Sequence, residues 1–262
     1  MTLTIAEIDE IALNRRHSRT LTNSSVGGAR LASNRLLMQP NAAAPSSTSG
    51  ITQDKTSARS LIMYSDARSG RTNRFIKIIY NPSLATQNIP SSTVLIADTL
   101  IISDGLSGTS VSSQTIGTPA LPRYSTGDGV WLLIECYTTT GATPVNCTIT
   151  YTDQDGNTGQ ITTFAFPTTF SAGQAFPVPL ASGDTGVRAV ASLQLSASTG
   201  TAGNFGVTLI KPLAIVTADQ KTTMFDALNA LQIIGNNACI TSYHMGTTCI
   251  GGELDFRIWD FE

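Results

Sequence analysis

At 262 residues, 41% hydrophobic and 13% charged, the chain is too apolar for intrinsic disorder and long enough for one large domain with appendages, or two small ones. The formal net charge is −2, and no apolar run reaches the length of a membrane span, so a membrane partner is not expected. Ser and Thr number 63, and Thr in that abundance suits half-exposed strand faces.

The small net charge hides an asymmetry. Residues 1–77 carry 11 Lys+Arg and 5 Asp+Glu, a balance of +6. Residues 78–262 carry 5 and 13, a balance of −8, and the two sum to −2. A basic leading segment before an acidic body predicts an arm that lies on an acidic partner, or else a solvated arm. Arg15, Arg16, Arg19, Arg30 and Arg35 are the residues expected to face that partner. They are spread thinly with few aromatics between them, which argues against nucleic acid. The start, Met1 to Glu10, is acidic where a secretory signal would be basic, so a cytosolic origin is expected.

In chain order, the first fifteen residues are predicted to be a short helix. Thr4 and Glu7 have capping-box spacing, and Ile5, Ile8, Ala12 and Leu13 fall near a helical period. Residues 16–60 lose periodicity, and 41–50 have a linker composition, so 1–60 is read as helix plus extended arm and 61–262 as a β-sandwich body. Short apolar runs follow at Leu61–Tyr64, Phe75–Tyr80 and Val94–Ile102. Gly105 to Pro122 reads as a loop anchored by Ile116. Val130–Tyr137 is the clearest core strand. Val145–Tyr151 and Gln160–Phe166 flank an Asp-Gly turn, which supplies positive φ angles for a hairpin. Val187–Ala197 and Gly206–Val216 come next, and Pro212 must lie at an edge or bulge because it cannot donate to a ladder. A second short helix is predicted over Met224–Gly235, with Phe225, Leu228 and Leu231 on one face and Gly235 as its cap. Leu254–Phe261 alternates apolar and charged residues, as a half-buried last strand does. The fold class expected is therefore mainly β: an antiparallel sandwich or jelly roll with an extended N-terminal arm and two short helices. Val130, Leu132, Ile134, Cys136, Ile149 and Tyr151 are its predicted inward residues.

The candidate chemical sites are thin. A hairpin centred on Gly141-Ala142 would set Cys136 opposite Cys147, giving a disulfide or two small buried thiols. Cys239, His244 and Cys249 match the last three ligands of a zinc knuckle, but the first position holds Asn236; burial or a Cys239–Cys249 disulfide is the alternative. Asp153-Gln-Asp-Gly-Asn157 misses the glycine and glutamate spacing of a calcium loop and reads as a turn. His17 and His244 lack any catalytic motif, and there is no G-x-S-x-G, H-E-x-x-H or Walker loop. No enzymatic turnover, catalytic residue, metal or cofactor is expected.

Two stretches carry a resemblance. Ala120-Leu-Pro-Arg-Tyr-Ser-Thr-Gly-Asp-Gly-Val-Trp131 running on to Gln160, and Leu180 to Leu209 with its Gly183-Asp-Thr-Gly-Val-Arg188, resemble a family of tailed-bacteriophage virion proteins. In that family a P-R-Y-x-x-G-x-G-V opening, a Y-T-x-Q-x-G hairpin and a G-D-T-G-V-R segment occur together. The likeness covers about residues 90–216. It implies a structural role in the virion, assembled in the host cytoplasm, with no catalytic residues to carry over. The resemblance is not specific to one place in the virion; capsid decoration, as a cement protein bridging subunits of the major capsid protein, is expected first because a low-charge, Thr-rich sandwich with a long arm suits such bridging. Neck, tail or baseplate is the structural alternative, and a host-surface carbohydrate-binding adhesin the alternative from another class. Copies of the chain itself are also expected as partners, because sandwich edges and a weakly charged Ser/Thr-rich surface present little barrier to symmetric packing, with a trimer suggested by the threefold positions that cement proteins occupy. Residues 1–60 would then order on assembly, and their deletion would leave a folded body that no longer joins the particle.

Overall fold

The structure is a computed structural model. It describes residues 19–22, 36–38, 44–60, 73–82, 92–218, 225–226, 232–235, 237–245 and 252–261; in 19–22, 36–38, 73–82, 92–94, 216–218, 225–226, 232–233, 244–245 and 252–261 the backbone alone is considered.

Among the described residues every strand pairing is antiparallel, and three sheets result. The first joins β1 (Arg19–Thr22), β16 (Gly252–Phe261), β4 (Asn73–Pro82) and β13 (Phe225–Asp226), with β14 (Gln232–Ile233) also on β4. The second runs β12 (Asn204–Ala218), β7 (Trp131–Thr138), β10 (Gln174–Pro177), β2 (Leu36–Met38), β15 (Ile240–Met245), β5 (Ser92–Ile102), β3 (Ile51–Thr52). Its β12 also pairs with β5, so β5, β12, β7, β10, β2 and β15 close into a barrel. The third is four-stranded: β6 (Gln114–Thr115), β11 (Val187–Leu195), β8 (Asn146–Asp153), β9 (Gln160–Ala165).

The mainly antiparallel β reading holds, but the helix predicted over Met224–Gly235 does not. Among the described residues there is no helix. In the 224–235 segment, Phe225–Asp226 and Gln232–Ile233 are instead strands on β4. Short apolar runs fit helix and strand alike, and pairing to a long neighbouring strand decided the matter. The helix predicted over the first fifteen residues, the Leu61–Tyr64 run and the linker start at 41–43 lie outside the described residues.

β7 explains the architecture. Its residues alternate between two buried faces, which is why Val130–Tyr137 is apolar almost throughout rather than alternating. Leu132, Ile134 and Cys136 face the third sheet and join Ile149, Tyr151, Phe164, Val187, Val190 and Leu193 in the larger core. The six predicted inward residues all lie there. Each fully buried Val, Leu, Ile or Phe contributes about 1.5–3 kcal/mol of burial free energy. Phe164 stacks on Phe176 at 5.5 Å, and Phe166 meets Phe205 at 5.1 Å. Leu133, Glu135 and Tyr137 point the other way, into the barrel, where Leu95, Ala97, Ala175, Ile210 and Tyr243 pack beside Leu133.

The local signals mostly did what their chemistry requires. The Asp-Gly turn joins β8 to β9 with Tyr151 opposite Gln160, and Gly156 and Gly159 have φ of 87° and 77°. Pro212 sits at a register irregularity between β12 and β5. Ile116 is 1% exposed and anchors its loop to the larger core. The Gly141-Ala142 hairpin does not exist: β7 pairs with β10 and β12, β8 with β9 and β11. The connection crosses from one layer to the other, held where Gly141 N donates to Thr199 Oγ1 and Gly141 O accepts from Thr169 N. Cys136 and Cys147 are buried thiols that are not joined to each other.

Candidate functional site

The three motif segments that carry the resemblance meet at one junction. Tyr124-Ser-Thr-Gly-Asp-Gly129 precedes β7, Gln154 lies in the β8–β9 turn, and Asp184-Thr-Gly-Val-Arg188 leads into β11. Gln154 Oε1 accepts from Thr185 N (2.9 Å) and Gly186 N (3.2 Å). Gln154 O accepts from Arg188 Nε (2.9 Å) and Nη2 (2.5 Å), and Arg188 Nε also donates to Thr126 O (2.9 Å). Thr185 Oγ1 donates to Asp128 Oδ1 (2.9 Å), and Asp128 and Gly186 form a β-bridge. Gly186 is required by contact: a Cβ there would overlap the Gly127 carbonyl oxygen. One member of each segment thus satisfies another.

Two tyrosines fasten the junction to the core. Tyr151, buried, donates its hydroxyl to Asp184 in a short hydrogen bond and accepts from Ala181 N (2.9 Å). Burial and then the Asp184 bond push its pKa up to about 12. Tyr124 holds a left-handed backbone, φ 53°, which costs a non-glycine residue about 1–3 kcal/mol. Its carbonyl accepts from Gly127 N (2.7 Å), and Lys211 Nζ lies 5.7 Å from its ring centroid while donating to Asp128 O (2.7 Å).

Arg123, in the middle of Pro-Arg-Tyr, reaches away from the junction to the barrel wall. Its Nε and Nη2 bind Asp98 Oδ2 and Oδ1 at 2.8 and 2.6 Å. It also donates to Thr99 O (3.1 Å) and Gln53 O (3.0 Å), while Cys239 N donates to Asp98 Oδ1 (2.8 Å). Burial raises the Asp98 carboxyl, opposed by Arg123.

A second buried ion pair fills the barrel. Arg59 Nη1 lies 2.6 Å from Glu135 Oε2, and Glu135 is fully buried. Tyr243 Oη donates to Glu135 Oε1 and Tyr137 Oη to Oε2, both at 2.9 Å, and Arg59 Nη2 donates to Tyr137 Oη (3.1 Å). Burial works to lower the Arg59 guanidinium, but Glu135 outweighs it and the net shift is upward. Burial, then Glu135, raises the Tyr243 and Tyr137 hydroxyls. Thr99 and Thr241 hydroxyls share a 2.8 Å bond on the same interior face.

Sequence reasoning missed both pairs, although a signal existed. Asp98 and Glu135 each interrupt a strand that is otherwise apolar, and a charge in a strand buried on both faces needs a partner. Which arginine answers is a matter of topology.

The other candidates resolve plainly. Asp153 Oδ1 accepts from Asp155 N and Asn157 N, both at 2.9 Å, and Oδ2 from Asn157 Nδ2 (2.8 Å), so its carboxylate organises the turn. Burial raises this carboxyl, but the Asn157 and Asp155 bonds outweigh it and hold it below its ordinary value. Cys239 is free and buried, and burial pushes its thiol up to about 12. Of the other zinc-knuckle residues, His244 lies in β15, and Cys249 and Asn236 are outside the described residues. Among the described residues no group of three or more His, Cys, Asp and Glu could hold a metal ion. Of the arm arginines, Arg19 opens β1, paired with Phe256, and Arg15, Arg16, Arg30 and Arg35 lie outside the described residues, as does His17. Among the described residues no helix is long and apolar enough to cross a membrane.

No protein-family model and no curated protein matches the chain. Similar solved structures include the infectious bursal disease virus Gx strain, at 7% identity and a TM-score of 0.19, covering 93% of this chain and 80% of that one. The same virus's VP2 subviral particle gives 10% identity and 0.16, covering 93% and 79%. Its T=1 particles give 9% and 0.16, covering 92% and 75%.

Proposed function

We propose that the protein is a structural component of a virus particle, and specifically a capsid decoration protein of a tailed phage. The observation that carries this reading is the junction. The three segments that resemble phage virion proteins are one another's hydrogen-bond partners, so their joint occurrence in the sequence reflects a single structural unit. Their polar groups are directed at each other and at the core, which suits a scaffold whose exposed faces make the contacts. The basic leading segment and the acidic remainder support binding to an acidic neighbouring subunit through Arg15, Arg16, Arg19, Arg30 and Arg35.

The test is the protein's copy number in purified particles. Hundreds of copies support decoration of the head. A single ring of copies moves the protein to neck, tail or baseplate. Binding to a host glycan array, with few or no copies on the head, favours the adhesin reading. Absence from particles overturns the proposal altogether.

A further inference from the structure

We propose that residues 51–59 are a latch that closes together with the barrel, so that the strap and the barrel open as one cooperative unit. Edge pairing alone would not hold this segment. β3 has only two residues, both exposed, and so short a strand is marginal by itself. The holding comes from polar groups at either end. At the first end, Gln53 N donates to Leu100 O (2.8 Å) and Gln53 O accepts from Arg123, the same side chain that grips Asp98 on β5. Asp98 in turn accepts from Cys239 N, and Thr99 N donates to Cys239 O (2.8 Å), which ties in the approach to β15. A turn follows in which Asp54 Oδ1 accepts from Thr56 N (2.8 Å) and Oγ1 (2.7 Å). At the far end Arg59 enters the barrel and meets both carboxylate oxygens of Glu135 on β7, and Oε1 also accepts from Tyr243 on β15.

Each end of the strap therefore bridges barrel strands, and its departure would strand charge. Glu135 is at 0% exposure and would lose Arg59, whereas Asp98, also at 0% exposure, keeps Arg123. A carboxylate buried without its cation is strongly unfavourable, so release of Arg59 must be accompanied by water reaching Glu135, which means an open barrel. An ordinary edge peptide would come and go by local opening and leave the barrel shut.

Native-state hydrogen exchange on the full chain tests this. The Gln53 amide should share the opening free energy and denaturant dependence of the Thr99 amide in the barrel wall. If Gln53 exchanges by a denaturant-independent local opening while Thr99 remains protected, the proposal is overturned. Trypsin supplies an independent reading through Lys55, which is 9% exposed. Arg59→Met and Glu135→Gln should each raise cleavage at Lys55 by roughly a hundredfold or more. The double variant should rise far less than the product of the two, because the second change removes the charge that the first left unpaired. A double effect equal to that product would also overturn it. Should a single variant fail to fold, the exchange comparison on the unaltered chain decides the question.

Discussion

Tyr151 concentrates much of the residue-scale chemistry. Its ring is in the larger core while its hydroxyl serves Asp184 and Ala181 N. Tyr151→Phe should cost about 1–3 kcal/mol in denaturant unfolding, because a half-buried donor and acceptor lose their partner. The same residue predicts alkaline lability. Its folded pKa, about 12, lies above the ordinary 10.0, so its contribution is fully present below pH 10 and lost as pH rises toward 12. Unfolding midpoints measured from pH 8 to 11 should fall above pH 10. They should fall less steeply in the Phe variant, though Tyr137 and Tyr243, whose pKa values are also raised, keep some slope. Gly186→Ala is expected to cost about 1–3 kcal/mol by overpacking against the Gly127 carbonyl, whereas Gly183→Ala meets nothing and pays only for its left-handed backbone, φ 100°. Thermal melts of the two variants side by side would separate crowding from backbone strain.

At the scale of elements, the strands were legible because their apolar runs and punctuating turns are local properties. Val130–Tyr137, the Asp-Gly hairpin and the Pro212 irregularity needed nothing distant to be read. Elements whose identity depends on a partner were not legible. Phe225–Asp226 and Gln232–Ile233 are strands because β4 is there to receive them, and a three-residue apolar spacing cannot announce that. Cys136 and Cys147 looked opposed because a glycine between two strands suggests a hairpin, yet the chain uses it to change layers. The motif junction was visible only as three separate strings. The Arg59 and Arg123 ion pairs span 76 and 25 residues, beyond any local pattern. The N-terminal strands carry an element-scale prediction. Residues 1–60 place β1 on β16, β2 between β10 and β15, and Arg59 on Glu135. A chain beginning at 61 should therefore lose about 3–5 kcal/mol relative to the full chain, from the unpaired Glu135 alone. Equilibrium unfolding of the two chains checks it, with failure of the shorter one to fold as the limiting outcome.

For the whole molecule, the outward side of the third sheet matters most. Along β8 and β9 it presents Thr148, Thr150, Thr152, Ile161, Thr163 and Ala165, with no charge among them, and Ile161 is 58% exposed. β9 has no further strand on its outer edge among the described residues. Lysine on an edge strand is a common barrier to edge-to-edge pairing, and β9 lacks it. Copies of an otherwise acidic body can approach one another there without repulsion. Ile161→Lys together with Thr163→Lys is expected to lower self-association in sedimentation measurements while shifting unfolding by no more than about 0.5 kcal/mol. Reversing the arm charges, Arg15, Arg16, Arg19, Arg30 and Arg35 to Glu, should instead leave self-association intact and abolish incorporation into particles.

The buried thiols have a use that burial alone does not suggest. Cys147 lies in the core beneath the third sheet, Cys136 on β7 between the layers, and Cys239 beside Asp98 at the mouth of β15. Burial raises the pKa of Cys147 and Cys239, and Cys136 Sγ donates to Phe170 O (2.9 Å). An alkylating reagent should thus find all three silent in the native fold and mark each only when its own neighbourhood parts. Mass spectrometry of the marks, read along a denaturant series, would give the order in which the seams of the molecule come undone.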